Sequence, residues 1–393
     1  MPPPRGSSAE VVLAYAFGSG AFTATEAIAG TGLTRSTVLA ACDELVQLGW
    51  LRALDDARAA GEYRKGRPAR RYALDDDAGV LVGVDAGQHR VSVAVADLRG
   101  VVRGRAAASL GDTGLDVATR LGAVRDAVAE ALADARVGAD RVLVVVVGIP
   151  APVDVRGASP RDDGYWDRMN PGFGALLGYG RLVVENDANL AALAERPSSG
   201  DASFAALLSG ERFGAGIVVD GVLLRGARGG AGEMRVLDLV DGVGSPEGIG
   251  ATARLLVAEA ADRIPPGSLL AGRNGSERLF EAAALGDPVA VEVVDRLGDR
   301  LARVGVLLAS LLDIDRVVVA GAIADAVGPV LDRARVHLAD WDYDPVPELV
   351  ASRLGADVVV LGAVARALDE VRTDPLALAL PVAASLSAPL AVG

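Results

Sequence analysis

Hydrophobic and polar positions repeat with two different periods along this chain, and the change of period divides it. From Glu10 to Ala16 the apolar spacing suits a short helix. Thr25 then precedes Glu26-Ala27-Ile28-Ala29, a predicted second helix ended by Gly30 and Gly32. Thr34 is a candidate N-cap for a third helix in which Val38, Cys42 (or Ala41), Leu45 and Leu48 share one face, leaving Arg35, Ser36 and Thr37 exposed at its start. Recognition helices of helix-turn-helix proteins offer that end to base edges. After Gly49-Trp50-Leu51 a polar segment leads into Tyr63-Arg64-Lys65-Gly66-Arg67-Pro68-Ala69-Arg70-Arg71-Tyr72, which reads as a β-hairpin wing whose cations suit phosphates or a minor groove. The plainer alternative is a small packing domain of three helices with a charged loop.

From Val80 onward β-rich runs broken by glycine alternate with Ala/Leu helices, the pattern of an α/β domain. Val80 to Gly100 and Ser203 to Gly226 each read as strand, glycine turn, strand and a further strand after an Asp-containing turn. The repetition predicts an internal duplication, two lobes with a cleft between them.

Composition narrows the partners. With 393 residues, 51% hydrophobic and 23% charged, the chain has room for two or three globular units. No apolar run approaches the ~20 residues of a membrane span, and Met1-Pro2-Pro3-Pro4-Arg5 leads into no signal-type apolar core, so a cytoplasmic protein without membrane partners is expected. Cys42, the single cysteine, excludes an internal disulfide and reads as helix core; with only His89 and His337 beside it, a Cys/His zinc cage cannot be assembled. A net charge of −13 argues against indiscriminate coating of nucleic acid. Positive charge is instead gathered at Arg58, Arg64, Lys65, Arg67, Arg70 and Arg71, which makes any DNA contact local.

Further motifs carry a resemblance. Gly148-Ile149-Pro150-Ala151-Pro152-Val153, Val184-Glu185-Asn186-Asp187-Ala188-Asn189, Gly229-Gly230-Ala231-Gly232-Glu233 and Val318-Val319-Ala320-Gly321-Ala322 follow one another in order. With the two strand-turn passages they resemble the ROK family (repressors, open reading frames and sugar kinases), in its winged helix-turn-helix repressor branch. The resemblance implies an α/β fold: a winged helix-turn-helix at 9–77, an actin-like or sugar-kinase-like body with lobes at 78–200 and 201–371, a C-terminal helix returning to the first lobe, and a flexible tail at 372–393. It implies a sugar pocket of Asn170, Asn186, Asp187 and Glu233. Asp187 stands where the family's kinases keep the base that takes a proton from the sugar hydroxyl. Contact with a ligand hydroxyl, and capping of the helix near Ala188 by Asp187 and Asn186, are the other readings; the alternative for Asn170 is the start of a turn and for Glu233 a solvated loop residue.

Departures from the family pattern shape the expected function. The kinases' first loop reads Asp-x-Gly-Gly-Thr, whereas here the positions are Asp85, Gly87, Gln88 and His89. Their second loop, Gly-Thr-Gly-x-Gly, is Gly210-Glu211-Arg212-Phe213-Gly214, with a carboxylate where nucleotide phosphates would sit, a repulsion of several kcal/mol if poorly screened. Arg212 or His89 would offset it in part. After Glu233 comes Met234-Arg235-Val236-Leu237 without the family's zinc histidine, so no metal and no cofactor is expected, and Val243-Gly244-Ser245-Pro246-Glu247-Gly248 should be held by packing alone. The expectation is a non-enzymatic, DNA-binding transcription regulator, a repressor of carbohydrate genes, controlled by a sugar or related metabolite. It would bind a double-stranded operator as a homodimer or dimer of dimers. Arg35, Ser36, Thr37, Arg64, Lys65, Arg67 and Arg70 would meet DNA. The alternatives are an ATP-dependent sugar kinase with an appended DNA-binding domain, and a constitutive DNA-binding protein whose body only dimerises.

Overall fold

The computed structural model describes residues 6–54, 70–111, 116–160, 164–200, 203–272, 275–341, 344–378 and 380. The chain opens with α1 (Ser8–Gly18), β1 (Phe22–Thr23), α2 (Ala24–Thr31), α3 (Arg35–Gln47), β2 (Leu51–Leu54) and β3 (Arg71–Leu74). Each helix starts at a side chain that satisfies its free N–H groups. Ser7 and Glu10 form a reciprocal capping box on α1, and Thr23 and Glu26 another on α2. Thr23, with glutamate three residues on, is the cap of α2, so the helix begins before Thr25. The helix runs through Gly30 and stops at Gly32, whose φ of 73° suits glycine. Thr34 caps α3 as expected, and Val38, Ala41, Cys42 and Leu45 are buried. Burial pushes the Cys42 thiol up to about 11. Leu48 instead follows the last helical residue and is 48% exposed. The strands pair in the order β1-β3-β2, with Leu54 opposite Arg71 across the ends that flank the basic segment. Phe22, Trp50 and Tyr72 fill the space between sheet and helices.

The body follows as β4 (Val80–Ala86), β5 (Arg90–Ala96), β6 (Val102–Ser109), α4 (Val117–Asp134), β7 (Val142–Ile149), α5 (Tyr165–Met169), β8 (Arg181–Asn186) and α6 (Asp187–Ser199). Then come β9 (Phe204–Leu208), β10 (Gly214–Val219), β11 (Val222–Leu224), α7 (Ile249–Glu259), α8 (Leu279–Ala284), α9 (Pro288–Leu312), β12 (Arg316–Ala320), α10 (Gly328–Asp340), β13 (Glu348–Ala351) and α11 (Val358–Thr373). Among the described residues the sheets run β6-β5-β4-β7-β8 and β11-β10-β9-β12-β13. The senses correspond as well: two antiparallel pairings on one side of the first strand, two parallel pairings on the other. This is the duplication that the two strand-turn passages predicted.

Helices α6 and α11 pack against each other between the sheets. Their approach needs glycine: a Cβ on Gly362 would stand 1.9 Å from the Leu190 carbonyl oxygen. Val360 and Val364 of α11 close on Ala94 and Ala96 of the first lobe. Beyond α11, Pro375 is buried and Leu376, Leu378 and Leu380 pack on the core that the body shares with the N-terminal module. The start of the segment expected to be flexible or loosely docked packs on this core, and its remainder lies mostly outside the described residues. Arg99 ties the first lobe to the module by donating to Asp76 (2.8 Å) and to the Phe17 carbonyl (2.9 Å). No helix among the described residues is long and apolar enough to cross a membrane.

Candidate functional site

The parallel strands β4, β7 and β8 end side by side, which places their carboxyl ends at one crevice, where α/β sheets gather ligand-facing groups. Register makes the row explicit: Asp85 is opposite Gly148, Gly148 opposite Glu185, and Ile149 opposite Asn186. From the second lobe, loop 229–233 reaches this edge. A Cβ on Gly229 would lie 2.0 Å from the Val153 carbonyl oxygen, so glycine lets the loop press against the turn after β7. Gly214 bridges to Glu233, and Ala215 N–H donates to the Gly232 carbonyl (3.0 Å), fixing Glu233 at the same place.

Asp187 opens α6 and is half-buried, its Oδ1 accepting from the Ala188 N–H (2.8 Å). Burial, then the nearby Asp85 carboxylate, push it up to about 8. Asp85 is itself pushed up to about 7 by burial, with Arg120 and Arg90 opposing. Glu233 is exposed, and the desolvation it meets from the neighbouring loops raises its carboxyl against the pull of Arg212. Two carboxyls poised near neutrality beside each other can hold or accept a proton, and Glu233 can accept from ligand hydroxyls.

Two of the expected pocket amides are otherwise engaged. Asn186, not Asp187, is the cap of α6: its Oδ1 accepts from the Asn189 N–H (3.0 Å) and its Nδ2 donates to the Ala151 carbonyl (3.1 Å). Asn170 donates to the Gly157 carbonyl and the Ser159 hydroxyl, both at 3.0 Å, and so holds a loop. Sequence reasoning missed Tyr165, whose hydroxyl donates to Gln88 (3.1 Å) and which senses the charges of Asp187, Arg120, Arg212 and Glu233. Its one visible signal was an aromatic pair, Tyr165-Trp166, in a chain only 4% aromatic. Behind the edge, buried Glu185 accepts from Arg225 of the other lobe (2.8 Å) and from Asn189 (2.9 Å).

The altered loops are built differently from their sequence appearance. Fully buried Arg120 donates to the carbonyls of Gly87 (2.8 Å) and Ala86, placing a cation under the first loop. Burial lowers its guanidinium to about 10, with Tyr165 and Asp85 opposing. His89 turns to the Gly111 carbonyl (2.9 Å). In the second loop, Glu211 pairs with Arg254 at 2.6 Å, so its charge is locally balanced. The loop at 243–248 is fastened by the guanidinium of Arg300 instead of resting on packing alone. Among the described residues no group of three His, Cys, Asp or Glu stands together as a metal cluster.

In the N-terminal module Arg35 and Ser36 are exposed at the start of α3 and Thr37 is half-buried. The hydroxyls of Ser36 and Thr37 both meet that of Thr34, at 3.1 and 2.8 Å. A shallow depression between the starts of α1 and α3 is lined by Ser7, Ser8, Ser36, Thr37 and Glu44. Arg70, expected at phosphates, pairs with Asp43 (2.9 Å) and stacks on Tyr72. Arg64, Lys65 and Arg67 lie outside the described residues.

Comparison with known proteins places this geometry. Residues 81–235 and 270–370 match the profile of the ROK family. A glucokinase of Streptomyces coelicolor is 30% identical over 318 residues, 72% of this chain and 96% of the relative. The crystal structure of a ROK family glucokinase from Streptomyces griseus in complex with glucose and AMPPNP superposes with a TM-score of 0.58 at 25% identity, over 73% of this chain and 98% of that one. A ROK family transcriptional regulator, a homolog of the E. coli MLC protein, superposes at 0.68 with 18% identity, over 92% and 96%. These findings overturn the expectation of a non-enzyme drawn from the altered loops, since relatives that match nearly all of their length to this body are kinases. The charge part of that argument weakens with it, since Glu211 pairs with Arg254 and Arg120 adds positive charge beneath Gly87, while Gln88 and His89 still depart from the kinases' first loop.

Proposed function

Because this chain belongs to the ROK family, we propose that its body is a sugar kinase carrying a DNA-binding module. Asp187 carries the reading: a carboxylate of raised proton affinity at the lobe edge, beside Glu233 and Tyr165. Asp187 takes the proton from a sugar hydroxyl as its oxygen attacks the terminal phosphorus of ATP, and ADP leaves. Glu233 orients the sugar by accepting from other hydroxyls. Arg120 draws the Ala86 and Gly87 carbonyls toward itself, away from the phosphates. Asn186 and Asn170 shape the walls from behind.

The reading assigns residues 9–77 to a winged helix-turn-helix, 78–200 and 201–371 to the lobes, and 372–393 to the tail. Arg35, Ser36 and Thr37 would read bases, with Arg64, Lys65, Arg67 and Arg70 on the phosphates of an operator. Two modules in a homodimer would meet half-sites ~34 Å apart.

A second reading, a sugar-controlled transcription regulator, is favoured by one observation. The glucokinase structure is matched over 98% of its length yet covers 73% of this chain, whereas the regulator's fold covers 92%, extending over the N-terminal module. Sugar binding would then change DNA affinity ~5- to 150-fold through a coupling of ~1–3 kcal/mol. Assay of ATP consumption with a panel of sugars, paired with selection of genomic fragments in the same sugars, separates the two. Sugar-dependent ADP release supports the kinase. Fragments released or tightened by one sugar without ADP release replace it with the regulator.

A further inference from the structure

Arg300 lies near the middle of α9, 6% exposed, and points its guanidinium into one loop. Nε donates to the Val243 carbonyl (3.2 Å), Nη1 to the Glu247 carbonyl (2.6 Å) and the Thr252 hydroxyl, and Nη2 to the carbonyl of Ser245 and its hydroxyl (3.1 Å). Five N–H groups are all a guanidinium has, and all five are used. Among the described residues no carboxylate touches the ion, although Glu247 lies near enough to favour its charge. A buried cation is costly unless fully bonded, so carbonyl dipoles at alternate residues 243, 245 and 247 do the work that a counter-ion does elsewhere. Its other face covers the Phe213 ring, 5.1 Å from the centroid.

The loop so fastened is a wall of the site. Phe213 N–H donates to the Pro246 carbonyl (2.8 Å), Gly248 N–H to that of Glu211 (2.9 Å) and Ala251 N–H to that of Gly210 (3.1 Å). Arg212 bridges to Glu247 through the backbone and draws on the charge of Glu233. The segment 243–252 is therefore zipped to the second loop, with Arg300 behind both. The zinc that the family resemblance implies does not fit here: Cys42 sits in the N-terminal module, His89 on the first loop and His337 on α10, and Met234 and Arg235 follow Glu233.

We propose that Arg300 is a positioning residue that takes the place of a metal, holding loops 243–252 and 209–213 in the geometry that binds sugar and the phosphoryl donor. The binding part of this statement rests on the sugar-kinase reading; the bracing part does not. A planar five-donor fork specifies the loop in a way the three-donor point charge of lysine cannot.

Hydrogen exchange of the full-length protein tests the brace. In Arg300→Lys and Arg300→Met, amides of 209–213 and 243–252 should exchange about tenfold faster or more, while β4, β7 and α11 keep their protection. Ser245→Ala and Thr252→Val, each removing one acceptor and leaving the core untouched, should give about threefold increases in the same two segments. Unchanged exchange in both segments across this set refutes the inference. In Arg300→Lys the KM for ATP and sugar should rise about tenfold while kcat stays within about threefold, and millimolar guanidinium should restore KM in Arg300→Ala; an equal fall in kcat with KM unmoved also refutes it. If the unmodified protein turns over no sugar yet its loops need Arg300 for protection, the kinase reading falls and the brace stands.

Discussion

Replacing Asp187 by Asn should stabilise the protein and silence it. Asn keeps an oxygen for the Ala188 N–H, so the start of α6 is preserved while the charge is lost. The carboxyl of Asp187 rises from 3.8 to about 8 on folding. The folded state thus binds the proton more tightly than the unfolded chain throughout that window, and stability falls as pH climbs from about 4 to 8. At ~1.4 kcal/mol per unit a sealed site would lose several kcal/mol. Asp187 keeps partial contact with water and shares its field with Asp85, which brings the loss to about 1–3 kcal/mol at pH 8. Urea unfolding followed by tryptophan fluorescence should show wild type and Asp187→Asn equally stable near pH 4 and the variant ahead by that margin at pH 8, with turnover reduced about 10²- to 10⁴-fold. A stability difference independent of pH, or an Asn variant that still phosphorylates sugar, would refute the assignment of a strained carboxylate as the base.

Since the base must be ionised to act, kcat/KM for phosphorylation should rise through pH 7 to 8 as the Asp85–Asp187 pair gives up its protons, and level off above; a flat profile counts against it. Arg225→Met leaves Glu185 buried without its cation and should cost about 3 kcal/mol in urea unfolding, with Arg225→Lys recovering part of it. In DNA binding, Arg67→Ala should weaken all sequences alike and lower the salt slope by about one, whereas Thr37→Ala should change sequence preference; an unchanged salt slope removes Arg67 from the interface.

Local chemistry was legible and long-range chemistry was not. The cap at Thr34, the buried face of α3 and the duplicated strand pattern depend on neighbours within a few residues, and each is present. The second helix was legible as an element, whereas its cap, Thr23 with the reciprocal Glu26, was not singled out. The capping role of Asn186 was one of the alternatives the sequence offered, but the Gly157 and Ala151 carbonyls that engage the amides of Asn170 and Asn186 are announced by no spacing. Reading Glu211 as an obstacle to phosphate overlooked Arg254, 43 positions on, and Arg300 reaches its loop across more than 50. Charge in a sequence has a sign but no partner until the chain is folded.

The end of α11 and the segment after it also cover the N-terminal module. Arg372 lies over the Phe17 ring, 5.6 Å from its centroid, and Leu380 comes within reach of Gly49 at the end of α3. During synthesis at ~5–20 residues per second, the N-terminal module waits on the order of half a minute for these side chains. Until they emerge, part of its apolar surface faces water, and the body must be complete before the module is. Whatever the module does that depends on this cover therefore waits for residues 372–380, and changes there act on the opposite side of the sequence.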